Sequence, residues 1–313
     1  MTVPGWDGSN WSMQDEYSPP EKTAFRLENA TTANVPVLIA VPHGGRDYPA
    51  ALRDAMRDPA FTMKRIEDRH IDLIGERVAA QTGAPLLVAR TPRAMIDLNR
   101  AESDVDWGMV TGPKPDLNRV SRHGHRAHSG LGLIPRRLQG LGDIWRRPME
   151  AGEIEARLET VHRPYHAALG DALLSIRQRW GAALLLDLHS MPPLRSSGSW
   201  APAKYVIGDR FGASSDAALP AAAFAYFARE GVPVAHNRPY AGGYVLERHG
   251  APARGLHAIQ LEVDRSLYLD EALDAPGAGC DSLVERLAGL VRALASAVAE
   301  CAGERGPRRE AAE

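Results

Sequence analysis

Cysteine is nearly missing from this chain. Cys280 and Cys301 are the two cysteines in 313 residues, and they form no CxxC pair. A secreted fold stapled by disulfides is therefore not expected. A charge excess is missing too. Lys and Arg number 37 against 39 Asp and Glu, a net charge of -2. No strongly basic face follows, which argues against a nucleic-acid partner. No apolar stretch approaches the roughly 18 residues of a membrane helix, so no membrane span is expected. The opening "MTVPGWDGSNWSMQDEYSPPEK" lacks a basic start followed by an apolar run, so no signal peptide is expected either. Together these absences predict a soluble cytoplasmic protein. No internal repeat is present. "DLNR" occurs at 97–100 and 116–119, but only the first copy closes a predicted strand.

What the chain does have is core-forming material. Apolar residues make up 44% of it, enough for one large α/β domain or two small ones. Residues 1–34 are polar, carry Pro19 and Pro20, and read as a lead-in. "VPVLIAVPHGG" (35–45) reads as a buried strand stopped by Pro42 and two glycines. Over 61–81, Ile66, His70, Ile71, Ile74 and Val78 recur at threes and fours and predict a helix. "APLLVAR" (84–90) and "AMIDLN" (94–99) predict strands. Residues 101–150 are irregular and read as a long functional cover over one end of the sheet. A helix over about 151–180, interrupted near Pro164, feeds the strand "GAALLLDLH". Further strands are predicted at 204–209, 232–237 and 257–264, with helices near 217–230 and 281–303. Alternating strands and helices predict an α/β fold, a three-layer α/β/α with a mixed twisted sheet. One domain over 35–305 and a polar tail over 306–313 complete the expected organisation.

Four predicted strands carry chemically capable groups at their ends: His43, the pair Asn99 and Arg100, His189, and Glu262. Ligands of open α/β sheets bind at the carboxyl ends of strands. Imidazoles at His43 and His189 suit a divalent cation such as zinc, which takes three protein ligands in catalytic sites. Asp187 shares a strand face with His189 and either orients that ring or is a buried carboxylate satisfied by backbone amides. For the remaining ligand, "EDRHIDLIGE" offers Glu67, Asp68, His70 and Asp72, and Asp47 is a further candidate. On a continuous helix Asp68 and Asp72 share a face, and that face is either a ligand pair or an acidic helix start. Glu262, amid apolar neighbours, is either salt-bridged or a general base. Arg93 and Arg100 offer planar forks for a substrate carboxylate, or form ordinary ion pairs. In "AGGYVLERHG" (241–250), Gly243 belongs to a glycine pair that lets backbone approach a ligand, or simply turns a hairpin.

The segments "VPHGG", "EDRHIDLIGE", "RAMIDLNR", "GLGLIPRR", "RPYHAAL", "LLLDLHSMPP", "RPYAGGYVLERHG" and "IQLEVDRSLYLDE" resemble, in this order, the N-formylglutamate amidohydrolase family. The resemblance spans about residues 35–275. It implies a phosphorylase/hydrolase-like α/β/α fold related to zinc carboxypeptidases and aspartoacylases. It implies a zinc-dependent hydrolase that splits N-formyl-L-glutamate into formate and L-glutamate, as in histidine degradation. The implied partner is a small N-acyl amino acid, with the oligomeric state left open. By the same resemblance, "DLNR" assigns Asn99 and Arg100 to a substrate carboxylate, "DLH" assigns His189 to the metal, and Glu262 matches the carboxylate that activates water. Relatives with His-x-x-Glu place a glutamate where this chain has Arg46, so Asp68 is taken as the ligand completing His43 and His189. Another N-acyl amino acid or a small peptide as substrate, or a metal-free carboxylate-binding protein, are the competing readings.

Overall fold

A computed structural model describes residues 23–112, 129–195 and 201–305. Most of the expected lead-in, the second "DLNR", part of the expected cover and the polar tail fall outside the described residues.

Seven strands form a mixed sheet: β1 (Phe25–Glu28), β2 (Val37–Val41), β3 (Leu86–Ala89), β4 (Ala183–Met191), β5 (Tyr205–Gly208), β6 (Val234–His236) and β7 (Leu256–Asp264). Their spatial order is β1-β3-β2-β4-β7-β5-β6. The central strands β3, β2, β4 and β7 run parallel, while β1 and β5 pair antiparallel to their neighbours β3 and β7. Every residue of β2, β3, β4 and β7 is buried, as expected of parallel strands covered on both faces.

The period-two alternation of side chains divides these strands between two apolar layers. Val37, Ile39, Val41, Leu184, Leu186 and Leu188 face one layer. There they meet helices α3 (Ile71–Thr82), α6 (Ala218–Arg229) and α8 (Cys280–Arg305) through Ile74, Phe227 and Leu287. Leu38, Ala40, Ala183, Leu185 and Ala258 face the other. That layer holds α1 (Ala50–Asp54), α2 (Pro59–Ile66), α4 (Ala151–Arg157), α5 (Arg163–Trp180) and α7 (Tyr244–His249). The three-layer α/β/α reading is therefore the observed architecture. Among the described residues no helix is long and apolar enough to cross a membrane.

Four local expectations are corrected. The helical pattern over 61–81 is two helices, α2 and α3, broken at 67–70, where His70 has φ 59 in the left-handed region. Asp68 and Asp72 therefore do not share a helix face. The segment 94–99 forms turns rather than a strand, closed by Met95 N–H to Pro92 O and Arg100 N–H to Asp97 O. The glycine pair at 242–243 starts helix α7 rather than a hairpin. The described parts of 101–150 are not merely a cover. Met109, Leu133, Ile134, Ile144 and Trp145 enter the second apolar layer, and Val110–Thr111 pairs with Met149–Glu150.

Candidate active site and metal centre

One face of β4 and β7 changes character along its length. Beside the register pair Leu185 and Ala258 the face is apolar; two residues on it carries Asp187 beside Gln260, then His189 beside Glu262. The polar row lies at the carboxyl end of the parallel sheet, where open α/β folds place their ligands.

His43 follows β2 by two residues and lies against this row. Its Nε2 is 2.7 Å from Asp97 Oδ1. The Nε2 of His189 is 2.9 Å from Asp187 Oδ2. A carboxylate accepts only, so Nε2 carries a proton in each ring, and Nδ1, once free of any proton, is the nitrogen that can present a lone pair to a cation. Both Nδ1 atoms face Asp68 Oδ2, at 3.6 Å from His43 and 3.0 Å from His189. His43 Nδ1 is buried with no hydrogen-bond partner. Three buried electron-pair donors thus converge, their ligand atoms within 4.8 Å of one another. That donor set, with each imidazole backed by a carboxylate, fits a divalent cation.

Asp68 is aimed by the break between α2 and α3. Its N–H donates to His43 O at 3.1 Å. Arg265 holds the other side: Nη2 reaches Asp68 Oδ1 at 3.3 Å and the Glu67 carbonyl, and Nε reaches Ser190 Oγ at 3.0 Å. Burial disfavours ionised Asp68, yet the contact with His189 and the nearby His43 ring hold its pKa well below the usual range. Burial likewise opposes a charged His189, but the Asp187, Asp68 and Glu262 carboxylates push its pKa well up.

Glu262 is buried, and Gln260 Nε2 donates to its Oε1 at 2.9 Å. Burial pushes its pKa up to about 7, with His189 and Arg93 opposing and Asp68 and Asp187 assisting. Arg93 donates from Nε to Asp97 Oδ2 at 2.9 Å. Its burial is outweighed by the negative charges of Asp97, Asp68 and Glu262, which raise its pKa.

The other acidic and imidazole candidates pair elsewhere. Asp72 forms a two-pronged pair with Arg46, both contacts at 2.7 Å. Glu67 binds Arg69 at 3.0 Å, and His70 Nε2 meets Asp274 O at 3.1 Å. Asp47 is exposed. Asn99 Oδ1 accepts from Val245 N–H at 2.9 Å, and Asn99 Nδ2 reaches Gln260 Oε1 at 3.4 Å. Gly243 is needed there, because an added Cβ would lie 2.7 Å from Asn99 Cγ. Gly243 thus packs on Asn99. Arg100 donates from Nε to Leu131 O at 2.9 Å and from Nη1 to Asn99 O at 2.7 Å.

Sequence reasoning overlooked Asp97, Gln260 and Arg265. Asp97 sits two residues before Asn99 in "MIDLNR", and Gln260 sits two before Glu262 in "QLEVDR". For both, the signal was a polar residue at the same spacing that singled out Asp187 before His189.

The N-formylglutamate amidohydrolase family model matches residues 35–269. An N-formylglutamate deformylase of Pseudomonas putida is 31% identical over 244 residues, covering 76% of this chain and 83% of that relative. The N-formylglutamate deformylase of Pseudomonas aeruginosa is 29% identical over 269 residues, covering 83% of this chain and 91% of the relative. The solved N-formylglutamate amidohydrolase of Ralstonia eutropha JMP134 superposes with a TM-score of 0.79 at 31% identity, over 88% of this chain and 99% of that one. With this geometry and these likenesses, the chain belongs to the N-formylglutamate amidohydrolase family.

Proposed function

We propose that the protein hydrolyses N-formyl-L-glutamate to formate and L-glutamate, with a divalent cation, zinc, held by His43, Asp68 and His189. The observation that carries this reading is the convergence of two imidazole Nδ1 atoms and a carboxylate oxygen beside Glu262. The deformylases of the two Pseudomonas species, whose sequences align over most of this chain, support the choice of substrate. A bound cation supplies Lewis-acid polarisation of the formyl carbonyl and lowers the pKa of water.

The chain's own residues do the rest. Glu262 takes a proton from the attacking water as its oxygen bonds to the formyl carbon. A buried carboxylate with a raised pKa suits that role, because it holds the proton well enough to hand it on. It then gives the proton to the glutamate nitrogen as the C–N bond breaks, so formate leaves and a free amine forms. Gln260 fixes Oε1 of Glu262, leaving Oε2 for the transfer. Arg93, which faces the charges of Asp68 and Glu262, is assigned to meet charge growing on the former carbonyl oxygen. Asn99 and Arg100 hold a substrate carboxylate and orient the amide.

The test is a hydrolysis screen over N-formyl, N-acetyl and N-succinyl amino acids, with metal analysis and with chelator followed by added zinc. Preferential release of formate from N-formyl-L-glutamate, lost with chelator and restored by zinc, is the expected result. Full turnover by metal-free protein refutes the cation, and preference for another acyl group refutes the substrate.

A further inference from the structure

Beneath the Asn99–Arg100 turn lie three buried histidines that take no part in the chemistry above. His162 ends a π-helical turn (Leu158–His162) between α4 and α5, His166 lies four residues on in α5, and His249 closes α7. Isolated π turns recur at functional sites. Here the turn sets His162 beside His166, ring centroids 4.4 Å apart.

The hydrogen bonds fix which nitrogen carries each proton. His166 Nε2 is 3.0 Å from Leu98 O. A carbonyl only accepts, so Nε2 is protonated and, in the neutral ring, Nδ1 is bare. His249 Nε2 lies 3.0 Å from that bare Nδ1 and therefore donates to it. His162 Nε2, 2.9 Å from Arg100 O, donates as well. The two carbonyls so gripped flank Asn99 on either side. Tyr244 stacks on His162 and meets His166 edge-on, so the same cluster supports the start of α7, whose Val245 N–H holds Asn99 Oδ1.

Burial lowers the pKa of all three rings. The Arg248 charge adds to this at each, the Glu102 carboxylate opposes it at His162, and the rings disfavour one another's charge at His166. The neutral tautomers are thus maintained. Apolar side chains would fill the same space without desolvating three imidazoles. What the imidazoles add is directed N–H donation to one turn.

We propose that His162, His166 and His249 are positioning residues that hold the Leu98–Arg100 backbone and so present Asn99 and Arg100 to the carboxylate of the substrate. The inference rests on the reading that those two residues bind that carboxylate, and the experiment separates the two.

Steady-state kinetics on N-formyl-L-glutamate would compare His166→Phe, His166→Gln, Arg100→Lys and the double variant His166→Phe/Arg100→Lys, each checked for metal content and melting temperature. In His166→Phe, KM rises about 10-fold or more while kcat stays within about 3-fold, because binding geometry and not the proton path is disturbed. His166→Gln restores most of the affinity, since its amide N–H can reach the Leu98 carbonyl. The double variant is less impaired than the two single effects multiplied, as for residues acting through one element. A raised KM in Arg100→Lys beside wild-type KM in His166→Phe overturns the positioning role alone. Wild-type KM in Arg100→Lys refutes the carboxylate reading and the positioning role with it. Independently of any variant's folding, long-range proton–nitrogen spectra of the wild type should show His166 as the Nε2–H tautomer. An Nδ1–H signal for His166 overturns the inference.

Discussion

Glu262 and His189 are register partners on neighbouring parallel strands, so the backbone itself fixes the spacing between a buried carboxylate and an imidazole of the candidate metal centre. A rigid sheet, rather than a loop, carries both. Glu262→Gln should therefore keep the fold and the cation but lose on the order of 10²-fold or more in turnover, as when a positioned general base is removed. Activity of the wild type should rise with pH as Glu262 deprotonates. Burial, together with the charges of His189, Asp68, Arg93 and Asp187, puts that limb at about 7, and a cation held beside it moves the limb lower. Near-normal turnover of Glu262→Gln, with the acid limb unchanged, would make Glu262 structural.

Asp97 and Asp187 each accept an Nε2–H from an imidazole of the candidate metal centre, so Nδ1 is the nitrogen left to face a cation. An asparagine amide can instead donate to Nε2 and favour the opposite tautomer. Asp97→Asn and Asp187→Asn should thus weaken cation affinity about 10- to 100-fold, the usual cost of losing such a partner. Titration against a competing chelator measures this directly. Wild-type affinity in both variants would show that the imidazoles do not serve as ligands through Nδ1.

These two carboxylates also mark where the sequence was legible. The strand running into "DLHSMPP" announces itself by the five apolar residues before Asp187, and Asp187 by its two-residue spacing from His189. Asp97 did not announce itself, because its partner His43 lies 54 residues away and only the folded chain joins them. The apolar and polar alternation of 94–99 resembled a strand for a different reason. Asp97 turns inward to His43, Arg93 and the Asn99 N–H, which mimics the period of two without a pairing strand. The spacing of Ile66, Ile71, Ile74 and Val78 continued across the break at 67–70, since periodicity reports burial and not chain continuity. That break is what aims Asp68 at the two imidazoles.

The buried histidines give the fold an acid limit. The pKa of His166 is lowered to about 2 and that of His249 to about 4, in both cases chiefly by burial. In the unfolded chain these rings titrate near about 6.5. Above that pH both states hold the rings neutral and nothing changes. Below it the unfolded chain takes up protons that the native state refuses, so stability falls as pH drops. For His249 the loss between about 6.5 and about 4 is on the order of 3 kcal/mol. Urea unfolding midpoints between pH 7 and pH 4 measure it. His249→Leu should flatten that fall; an equally steep fall in the variant would assign acid lability to other groups.

Arg100 offers the sharpest test of substrate recognition. Its Nε and Nη1 are held by the carbonyls of Leu131 and Asn99, which fixes the plane of the guanidinium. A lysine at that position keeps the charge but has neither the plane nor the paired donors. If recognition is geometric, Arg100→Lys should lose roughly 10- to 100-fold in kcat/KM, about 1.4 to 2.8 kcal/mol. The measurement pairs N-formyl-L-glutamate with its α-amide and with N-formylglutamine, its γ-amide. The wild type should reject one of the amides strongly, because replacing a carboxylate leaves the fork without its charged partner. The variant should reject that amide much less, and the amide concerned identifies which carboxylate Arg100 holds. Arg93 serves as the control. Among the described residues it pairs only with Asp97, and it faces the charges of Asp68 and Glu262. Arg93→Lys should therefore reduce kcat for all three compounds alike, leaving the preference among them unchanged. Should Arg100→Lys also leave the preference intact, Arg100 would be a structural clamp on the Leu131 and Asn99 carbonyls, and the substrate carboxylate would be held elsewhere.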